Sequence, residues 1–263
     1  MIKIGLVQAS VGRDVLENIK TIEKYVADAK NQGCEAVCFP ECFLTGYHPE
    51  EAVKLAVGRD NKWVQTIAGL AVDYQIDILA GFMESEENLQ YISQGIFKAS
   101  GVCDYYRKTH LGEKEEEYFA KGNVLEVFTL SCGAKIGMQI CVETHFPQIT
   151  QTLSLKGADV IFAPHAVPRA AGNRKNIWSK IIPARSYDNR VYMACCNQWD
   201  EEKFGGGSMV TDPKGEVIAE YFKESAGLLV AELDLEEVRR YRQENAGKRY
   251  RYYASKGRKE LYQ

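Results

Sequence analysis

The chain has 263 residues, of which 45% are apolar and 26% are charged, which is enough for one large domain with a sizeable core. Its 33 basic and 36 acidic residues leave a formal net charge of −3, which excludes a uniformly basic nucleic-acid coat and a strongly acidic solvating chain. No apolar run approaches the length of a membrane span, and the first residues lack the pattern of a signal peptide. We therefore predict a soluble cytoplasmic protein with no membrane partner.

Strand-like and helix-like segments alternate along the chain. Runs of β-branched and apolar residues predict strands at 2–8, 35–39, 76–82, 91–98, 102–108, 135–142, 159–164, 191–197 and 228–233. Apolar residues at helical spacing predict helices at 15–29, 62–74, 147–155 and 174–187. Asp14 and Glu17 form the pattern of a capping box at the start of the first helix.

The order of these elements indicates an α/β layered architecture. Residues 212–215, Asp-Pro-Lys-Gly, predict a turn between two further strands. No linker-like segment or internal repeat divides the chain, so we predict a single domain over residues 1–263. The only compositional break is the segment 239–263, which is dense in Arg, Lys and Tyr.

Eight cysteines raise the question of disulfides or a metal site. Without an export signal we expect reduced thiols, most of them buried as small apolar side chains. Cys34, Cys38 and Cys42 recur every fourth residue, but this spacing does not match the paired C-x-x-C pattern of a zinc site. Cys195 and Cys196 lie in an apolar run and are predicted to be core residues. We therefore predict no metal ligands.

Reactive side chains stand at the ends of three predicted strands. Glu41 follows the strand at 35–39, Lys108 ends the strand at 102–108, and Cys141 lies at the end of the strand at 135–142. Functional groups in α/β folds tend to lie just beyond the carboxyl ends of strands. A carboxylate, an ammonium group and a thiol at such ends indicate nucleophilic catalysis.

Several short motifs around these residues occur in a specific order. They are Phe39-Pro40-Glu41 with Thr45-Gly46-Tyr47, Tyr106-Arg107-Lys108-Thr109-His110-Leu111, Gly137-Met138-Gln139-Ile140-Cys141 with Phe146-Pro147, Lys156-Gly157-Ala158-Asp159, Ala184-Arg185 with Asp188-Asn189, and Gly207-Ser208 with Asp212-Pro213. Over about residues 2–262, the series resembles the nitrilase superfamily of carbon–nitrogen hydrolases. The resemblance implies an α/β fold built as a four-layer αββα sandwich.

The resemblance also implies a catalytic triad of Glu41, Lys108 and Cys141. Amides are weak electrophiles with poor leaving groups, so their hydrolysis benefits from a covalent intermediate, here a thioester on Cys141. Glu41 is expected to act as general base and then general acid, with Glu143 among the next candidates for this role. Lys108 and the backbone N–H of Val142 are expected to stabilise the anionic oxygen of the tetrahedral intermediate. No metal or organic cofactor is required.

A fourth catalytic acid is implied by the stretch Glu-x-x-x-Phe-x-x-Gly, which the resembled family often carries. Here the stretch consists of Glu115, Phe119 and Gly122. The alternative is a solvated acidic loop in which no glutamate is special, made of Glu113, Glu115, Glu116 and Glu117. We favour Glu115, because its register to the Phe and the Gly is otherwise unexplained.

The predicted substrate is a small linear amide or N-carbamoyl compound, with a nitrile as the alternative. The residues predicted to bind it are Tyr47, Val142, His145 and His165. His145 stands beside the Phe146-Pro147 corner, where a structural role is the alternative, and His165 follows Pro164. Arg169 and Arg174 are candidate partners for a substrate carboxylate. The alternative is that both arginines simply lie on the surface.

The segment 239–263 also bears on partners. Basic residues interleaved with aromatics can bind single-stranded nucleic acid. However, the net charge is negative, and the resembled family packs its C-terminal arm across a homodimer, where Tyr and Arg are favoured interface residues. We therefore predict a homodimer or larger even-numbered assembly with no nucleic-acid partner. The intact triad argues against a catalytically silent protein that only binds partners.

Overall fold

Two six-stranded β-sheets form the centre of the structure, a computed structural model that describes residues 1–244 together with Tyr252 and Lys256. The strands of the first sheet are β1 (Ile2–Gln8), β2 (Ala36–Cys38), β3 (Asp77–Glu86), β4 (Leu89–Phe97), β5 (Cys103–Arg107) and β12 (Gly227–Leu233). Those of the second are β6 (Val127–Thr129), β7 (Lys135–Met138), β8 (Val160–His165), β9 (Tyr192–Asn197), β10 (Ser208–Thr211) and β11 (Val217–Tyr221).

The two sheets share one plan. Their strand orders are β12-β1-β2-β3-β4-β5 and β11-β10-β9-β8-β7-β6. In the first sheet β1, β2 and β3 pair in parallel, and in the second β7, β8 and β9 do so. All remaining pairs are antiparallel. The loops that follow β2, β5, β7, β8 and β9 carry the residues of the candidate site.

Four helices cover the outer faces of the sheets: α1 (Val15–Asn31) and α3 (Lys62–Asp73) lie on the first sheet, and α4 (Pro147–Leu155) and α5 (Arg174–Asn189) on the second. Two further helices, α2 (Ala52–Leu55) and α6 (Leu235–Gln243), contribute buried residues to the cluster between the sheets. Asp14 Oδ1 accepts a hydrogen bond from the Leu16 backbone N–H and so caps α1. Glu17 pairs with Lys20 on the helix surface. Within the described residues, no helix is long and apolar enough to cross a membrane.

Side chains alternate between two layers along the strands, because successive residues of a strand point to opposite faces. In β9, Cys195 packs in the cluster that contains residues of α4 and α5, whereas Cys196 packs in the cluster between the sheets. In β1, Leu6 faces the inter-sheet core and Val7 faces α1 and α3. The resulting order of layers is helix, sheet, sheet, helix. The predicted four-layer αββα sandwich is therefore confirmed.

Most predicted elements are present, with one informative error. The predicted strand at 135–142 is wrong at its end, since β7 stops at Met138 and Cys141 has the left-handed value φ 52°. The Ile140 backbone N–H donates to Glu143 instead of to a neighbouring strand. The prediction missed three elements: the short strand β6, the short helix α2 and the helix α6.

The helix α6 contains the first residues of the predicted C-terminal arm. Arg239 and Arg242, both in α6, lie 3.2 Å and 3.3 Å from the carboxylate of Asp159, which immediately precedes β8. Residues 239–243 therefore pack against their own chain. Apart from Glu244, Tyr252 and Lys256, the rest of the predicted arm lies outside the described residues, so its role at an interface stays a prediction.

Candidate active site

Four residues predicted to be catalytic meet at the inter-sheet core. Glu41 follows β2, Lys108 follows β5, and Cys141 follows β7. Lys108 Nζ lies 2.7 Å from Glu41 Oε1 and 2.8 Å from Glu115 Oε1. The exposed fraction is 1% for Glu41 and Lys108 and 4% for Glu115. One ammonium group thus holds two buried carboxylates together.

The register of Glu115 has a structural explanation. Phe119 is buried in the inter-sheet core, and the Gly122 backbone N–H donates to the Lys108 carbonyl oxygen at 2.8 Å. A Cβ on Gly122 would collide with the Arg107 backbone, so only glycine can lie this close to the end of β5. Phe119 and Gly122 therefore fix the segment so that Glu115 reaches Lys108. The solvated-loop alternative fails for Glu115, whereas Glu113, Glu116 and Glu117 are exposed.

The carboxylate of Glu41 is oriented by groups that the sequence analysis did not name. Glu41 Oε2 accepts from the Ala166 backbone N–H at 3.0 Å, and Gln198 Nε2 donates to the Glu41 carbonyl oxygen at 2.7 Å. Ala166 and Gln198 directly follow β8 and β9. The strand-end rule that located Glu41 could have found them, but neither residue type is conspicuously reactive.

Cys141 occupies a strained turn. Its φ of 52° is left-handed, a conformation that costs a residue with a Cβ about 1–2 kcal/mol. The turn is held on both sides, because the Ile140 N–H donates to Glu143 Oε2 at 2.7 Å and Thr144 Oγ1 donates to the Cys141 carbonyl at 2.8 Å. Backbone strain of this kind persists only where neighbouring contacts stabilise it.

Glu143 links the turn that contains Cys141 to the loop that follows Lys108. Its Oε1 accepts from Tyr106 Oη at 2.8 Å, from the Thr109 N–H and Oγ1 at 2.7 and 2.6 Å, and from the His110 N–H at 3.2 Å. Together with the bond from Ile140, both carboxylate oxygens are occupied by donors. Glu143 is therefore a structural brace, and its oxygens are not available as a base for the thiol.

We expect Glu143→Gln to lower both stability and turnover. A glutamine places an NH₂ group opposite a backbone N–H, so a buried donor loses its acceptor, at a cost of about 1–3 kcal/mol in the free energy of unfolding. The measurement is urea unfolding together with kcat. Glu113→Gln, on an exposed glutamate of the nearby loop, is the control and should leave both unchanged. A Glu143 variant that matches this control would contradict the assignment.

The pKa of Glu41 is tuned by competing effects. Burial, the largest effect, raises it to about 7, and the Glu115 charge adds to the increase. The charge of Lys108 and hydrogen bonds with Lys108 and Cys141 act in the opposite direction. A general acid–base group works best when its pKa lies near the operating pH. Glu41 therefore has a pKa that suits a general acid–base group near neutrality.

The pKa values of Lys108 and Cys141 are both raised in this network. Burial alone lowers the pKa of Lys108, but the negative groups Glu41, Cys141 and Glu115 outweigh it and raise the pKa, so the ammonium form is retained. Burial, followed by the Glu41 charge, raises the pKa of the Cys141 thiol, and Lys108 and the Ala166 N–H oppose this. The raised pKa favours the thiol form of Cys141 over the thiolate.

Two of the residues predicted to bind substrate adjoin this network. Tyr47 Oη donates to Glu115 Oε1 at 2.8 Å. Val142 lies in the 3-10 turn Cys141–His145, whose first backbone N–H groups have no intrahelical acceptor. The Val142 N–H therefore stands beside the nucleophile as a potential donor to an oxyanion.

The two histidines predicted to bind substrate differ in their surroundings. His145 is exposed at the end of the 3-10 turn. His165 is buried, with its Nδ1 2.8 Å from the Ala163 carbonyl oxygen and its ring packed against Trp178. Burial lowers the pKa of His165 to about 3, so it is neutral. His165 directly precedes Ala166, whose backbone N–H donates to Glu41.

A cavity of about 430 Å³ lies beside this network. Its lining includes Tyr47 and Gln198, which contact Glu115 and Glu41 respectively. Val11, His48 and Phe204 form other parts of its wall. In residues 1–244, Tyr252 and Lys256, no group of three or more His, Cys, Asp or Glu side chains is placed to hold a metal ion.

A carboxylate, an ammonium group and a thiol in this arrangement are characteristic of a hydrolase that works through a covalent intermediate. Residues 3–243 match the family described as carbon–nitrogen hydrolase. The chain therefore belongs to this family, the nitrilase superfamily, and the resemblance seen in its motifs is confirmed.

Individual relatives agree with this membership. The chain is 32% identical to a nitrilase from Pyrococcus abyssi, with 92% of this chain and 93% of the relative covered. It is 27% identical to the N-carbamoylputrescine amidase of Solanum lycopersicum, covering 91% and 88%. Among solved structures, the amidase NitN from Nesterenkonia sp. AN1 has the same fold, with a TM-score of 0.85, 24% identity and coverage of 100% and 98%.

Proposed function

We propose that this carbon–nitrogen hydrolase is an amidase that cleaves a small linear amide or N-carbamoyl compound, with Glu41, Lys108 and Cys141 as its triad. The observation that carries the proposal is the buried network in which Lys108 bridges Glu41 and Glu115 beside the strained Cys141 turn. Such a network places a base, a cation and a nucleophile within one small volume.

The proposed reaction begins with transfer of the Cys141 proton to Glu41 as the sulfur attacks the amide carbon. Lys108 and the Val142 N–H stabilise the oxygen that becomes negative, and one such donor typically contributes about 2.7–4 kcal/mol. Glu41 then protonates the nitrogen, and the C–N bond breaks to release ammonia or an amine. Water attacks the thioester with Glu41 as base, which releases the acid and restores the thiol.

Glu115 has a positioning role in this scheme. Its Oε1 accepts from both Lys108 and Tyr47, and its Oε2 accepts from the Gly112 N–H at 2.7 Å. These bonds fix the Lys108 ammonium and compensate its charge in a buried site. Tyr47 thereby holds Glu115 while its ring lines the cavity through which substrate enters.

A nitrile is the second candidate substrate, and it is favoured by the similarity to the Pyrococcus abyssi nitrilase. The N-carbamoyl candidate is favoured by the similarity to the N-carbamoylputrescine amidase. The same three residues serve both reactions, because a thiolate can add to a nitrile carbon as well as to an amide carbon.

The experiment that tests the proposal is ammonia release from a panel of amides, ureido compounds and nitriles. We expect hydrolysis of at least one amide or ureido compound, and the same turnover after treatment with a chelator. Turnover of nitriles alone would favour the second candidate. No ammonia from any compound, by a protein that is folded by circular dichroism, would contradict the proposal.

We also propose a cytoplasmic enzyme that forms a homodimer or larger even-numbered assembly through its C-terminal segment. Truncation after Glu244 retains α6 and its ion pairs to Asp159, and removes only residues 245–263. We expect the full chain to sediment as a dimer or larger even-numbered assembly, and the truncated chain to sediment as a monomer or to aggregate. An unchanged soluble assembly after truncation would contradict the role of this segment.

A further inference from the structure

One buried amide group belongs both to the catalytic network and to the wall of the cavity of about 430 Å³. It is the side chain of Gln198, the residue that directly follows β9. Its Nε2 donates to the Glu41 carbonyl oxygen at 2.7 Å. Gln198 lines the cavity together with Tyr47, which binds Glu115. The same glutamine therefore contacts the proposed base and faces the space beside it.

The oxygen of this amide has no hydrogen-bond partner. Gln198 Oε1 is buried and accepts from no residue in the part of the chain that the structure describes. The orientation of the amide follows from its other bond, because the Glu41 carbonyl only accepts and so requires the NH₂ group. Buried polar atoms without a partner are rare in folded proteins. The side chains of Glu41 and Lys108 are equally buried, so Gln198 is as enclosed as the reacting groups themselves.

The main chain holds Gln198 in a fixed position. Its N–H donates to the His165 carbonyl at 3.3 Å, and its carbonyl accepts from the Gly206 N–H at 2.9 Å. The bond from Nε2 to Glu41 fixes the end of the side chain. The free acceptor is therefore pre-organised, which reduces the entropy lost when a donor binds to it.

A second buried glutamine shows why the position of Gln198 matters. Gln94 Nε2 donates to the Phe39 carbonyl at 3.3 Å, and Gln94 Oε1 also has no partner among the described residues. This oxygen lies against β3, because a Cβ added to Gly81 would be 2.7 Å from it. Gln94 does not line the cavity beside the network. Of the two glutamines, Gln198 is the one whose position gives it access to a substrate.

We propose, as a refinement that rests on the amidase function, that Gln198 Oε1 accepts a hydrogen bond from the nitrogen of the C–N bond that breaks. The enzyme would thereby select amides and ureido compounds, which carry an N–H at this position, over esters and nitriles, which do not. In the proposed reaction this nitrogen receives its proton from Glu41. Because Gln198 binds the main chain of Glu41, the nitrogen and the acceptor meet beside the same residue.

The hydrogen bond to Gln198 should strengthen during the reaction. The nitrogen of an amide is neutral in the ground state, and it becomes positively charged when Glu41 protonates it before the C–N bond breaks. Hydrogen bonds with an ionised donor are about twice as strong as those between neutral groups. Interactions that are stronger in the transition state than in the ground state raise kcat. Gln198 should therefore act chiefly on the kcat for amides.

The test compares a primary amide with the methyl ester of the same acid, in which oxygen replaces the N–H group. Gln198→Met keeps the length of the side chain without its polar atoms. In this variant the ratio of kcat/KM for amide over ester should fall about 10- to 100-fold, because a hydrogen bond to a charged donor is lost. Equal losses for both substrates would overturn the inference and leave the amidase function intact. Failure of the unmodified enzyme to hydrolyse any amide would overturn the amidase function itself.

A displaced Glu41 would also lower the ratio, because an amide depends more than an ester on protonation of its leaving group. The pH profile of ester hydrolysis separates the two causes, since it reports the pKa of Glu41 with no N–H in the substrate. We expect the same acidic limb in Gln198→Met as in the unmodified enzyme. A lower ratio together with a shifted limb would overturn the inference, because Gln198 would then only position Glu41.

Two further variants separate recognition from folding. Gln198→Glu keeps the shape of the side chain and an acceptor oxygen, so the ratio should stay near that of the unmodified enzyme, and a fall of about 10-fold or more would contradict the inference. Gln94→Met removes the same groups from the matched glutamine outside the cavity and should leave the ratio unchanged. If the ratio falls as far in Gln94→Met as in Gln198→Met, the effect comes from any buried change near Glu41 and the inference is wrong.

Discussion

Cys141→Ala is expected to abolish hydrolysis, and Glu41→Gln to lower turnover at least about 100-fold, since general acid–base assistance contributes about 10²–10⁴-fold. Without the Cys141 sulfur no thioester can form, although substrate can still bind. Glutamine in place of Glu41 keeps the shape of the side chain and can accept from Lys108 or from the Ala166 N–H, but not from both, and it cannot accept the thiol proton. The measurement is kcat for the best amide of the panel, with fold verified by circular dichroism.

The combination of the two changes is more informative than either alone. Base and nucleophile act as one unit, so their effects should be strongly non-additive. The double variant should be about as inactive as Cys141→Ala. If folded Glu41→Gln keeps near-native turnover, Glu41 is not the base. Glu115 would then be the next candidate, because it shares the ammonium group of Lys108 with Glu41.

Lys108→Met is expected to reduce both turnover and stability. Loss of an oxyanion donor typically lowers kcat about 10²–10³-fold. Methionine preserves much of the volume but leaves two buried carboxylates, Glu41 and Glu115, without their cation. Removal of one partner of a buried ion pair typically costs about 3–5 kcal/mol in the free energy of unfolding. Lys114→Met, on an exposed lysine of the same loop, is the control and should leave both quantities unchanged.

The stability loss of Lys108→Met should depend on pH. The attraction of Lys108 lowers the pKa of Glu41 against burial, so its removal raises this pKa above about 7. A carboxyl group whose pKa is higher in the folded state contributes stability below its unfolded pKa, and this stability is lost as the pH rises. The deficit measured by urea unfolding should therefore be larger at pH 8 than at pH 5. A deficit independent of pH would contradict the ion-pair account.

The sequence was sufficient to predict the layers and the side chains that meet in the candidate site. Alternating strand and helix patterns depend on local periodicity, and Glu41, Lys108 and Cys141 stand at strand ends where reactive side chains are conspicuous. The prediction of Glu115 depended on its spacing from Phe119 and Gly122. The structure explains this spacing by the close contact of Gly122 with the end of β5. Each of these features is marked by a pattern in its own stretch of sequence.

The remaining features depend on contacts between distant segments. Ala166 contacts Glu41 through a backbone N–H, which nearly any residue type supplies, so its residue type does not mark it. The predicted strand at 135–142 was too long, although its apolar pattern continues to residue 142. The hydrogen bond from Ile140 to Glu143 and the left-handed conformation of Cys141 end the strand earlier. Arg169 is paired with Glu224, which lies 55 residues further along the chain, so its local sequence does not show this contact.

The most direct test of the central claim is to identify the atom that carries the acyl group. A p-nitrophenyl ester of the best acid should acylate the enzyme faster than water releases it, so an acid quench during turnover traps the intermediate for peptide mass spectrometry. The account predicts one acyl group, on the peptide that contains Cys141, and none in Cys141→Ala. An acyl group on Cys42, which adjoins Glu41 and shares a φ of 52°, with Cys141 unmodified, would contradict it.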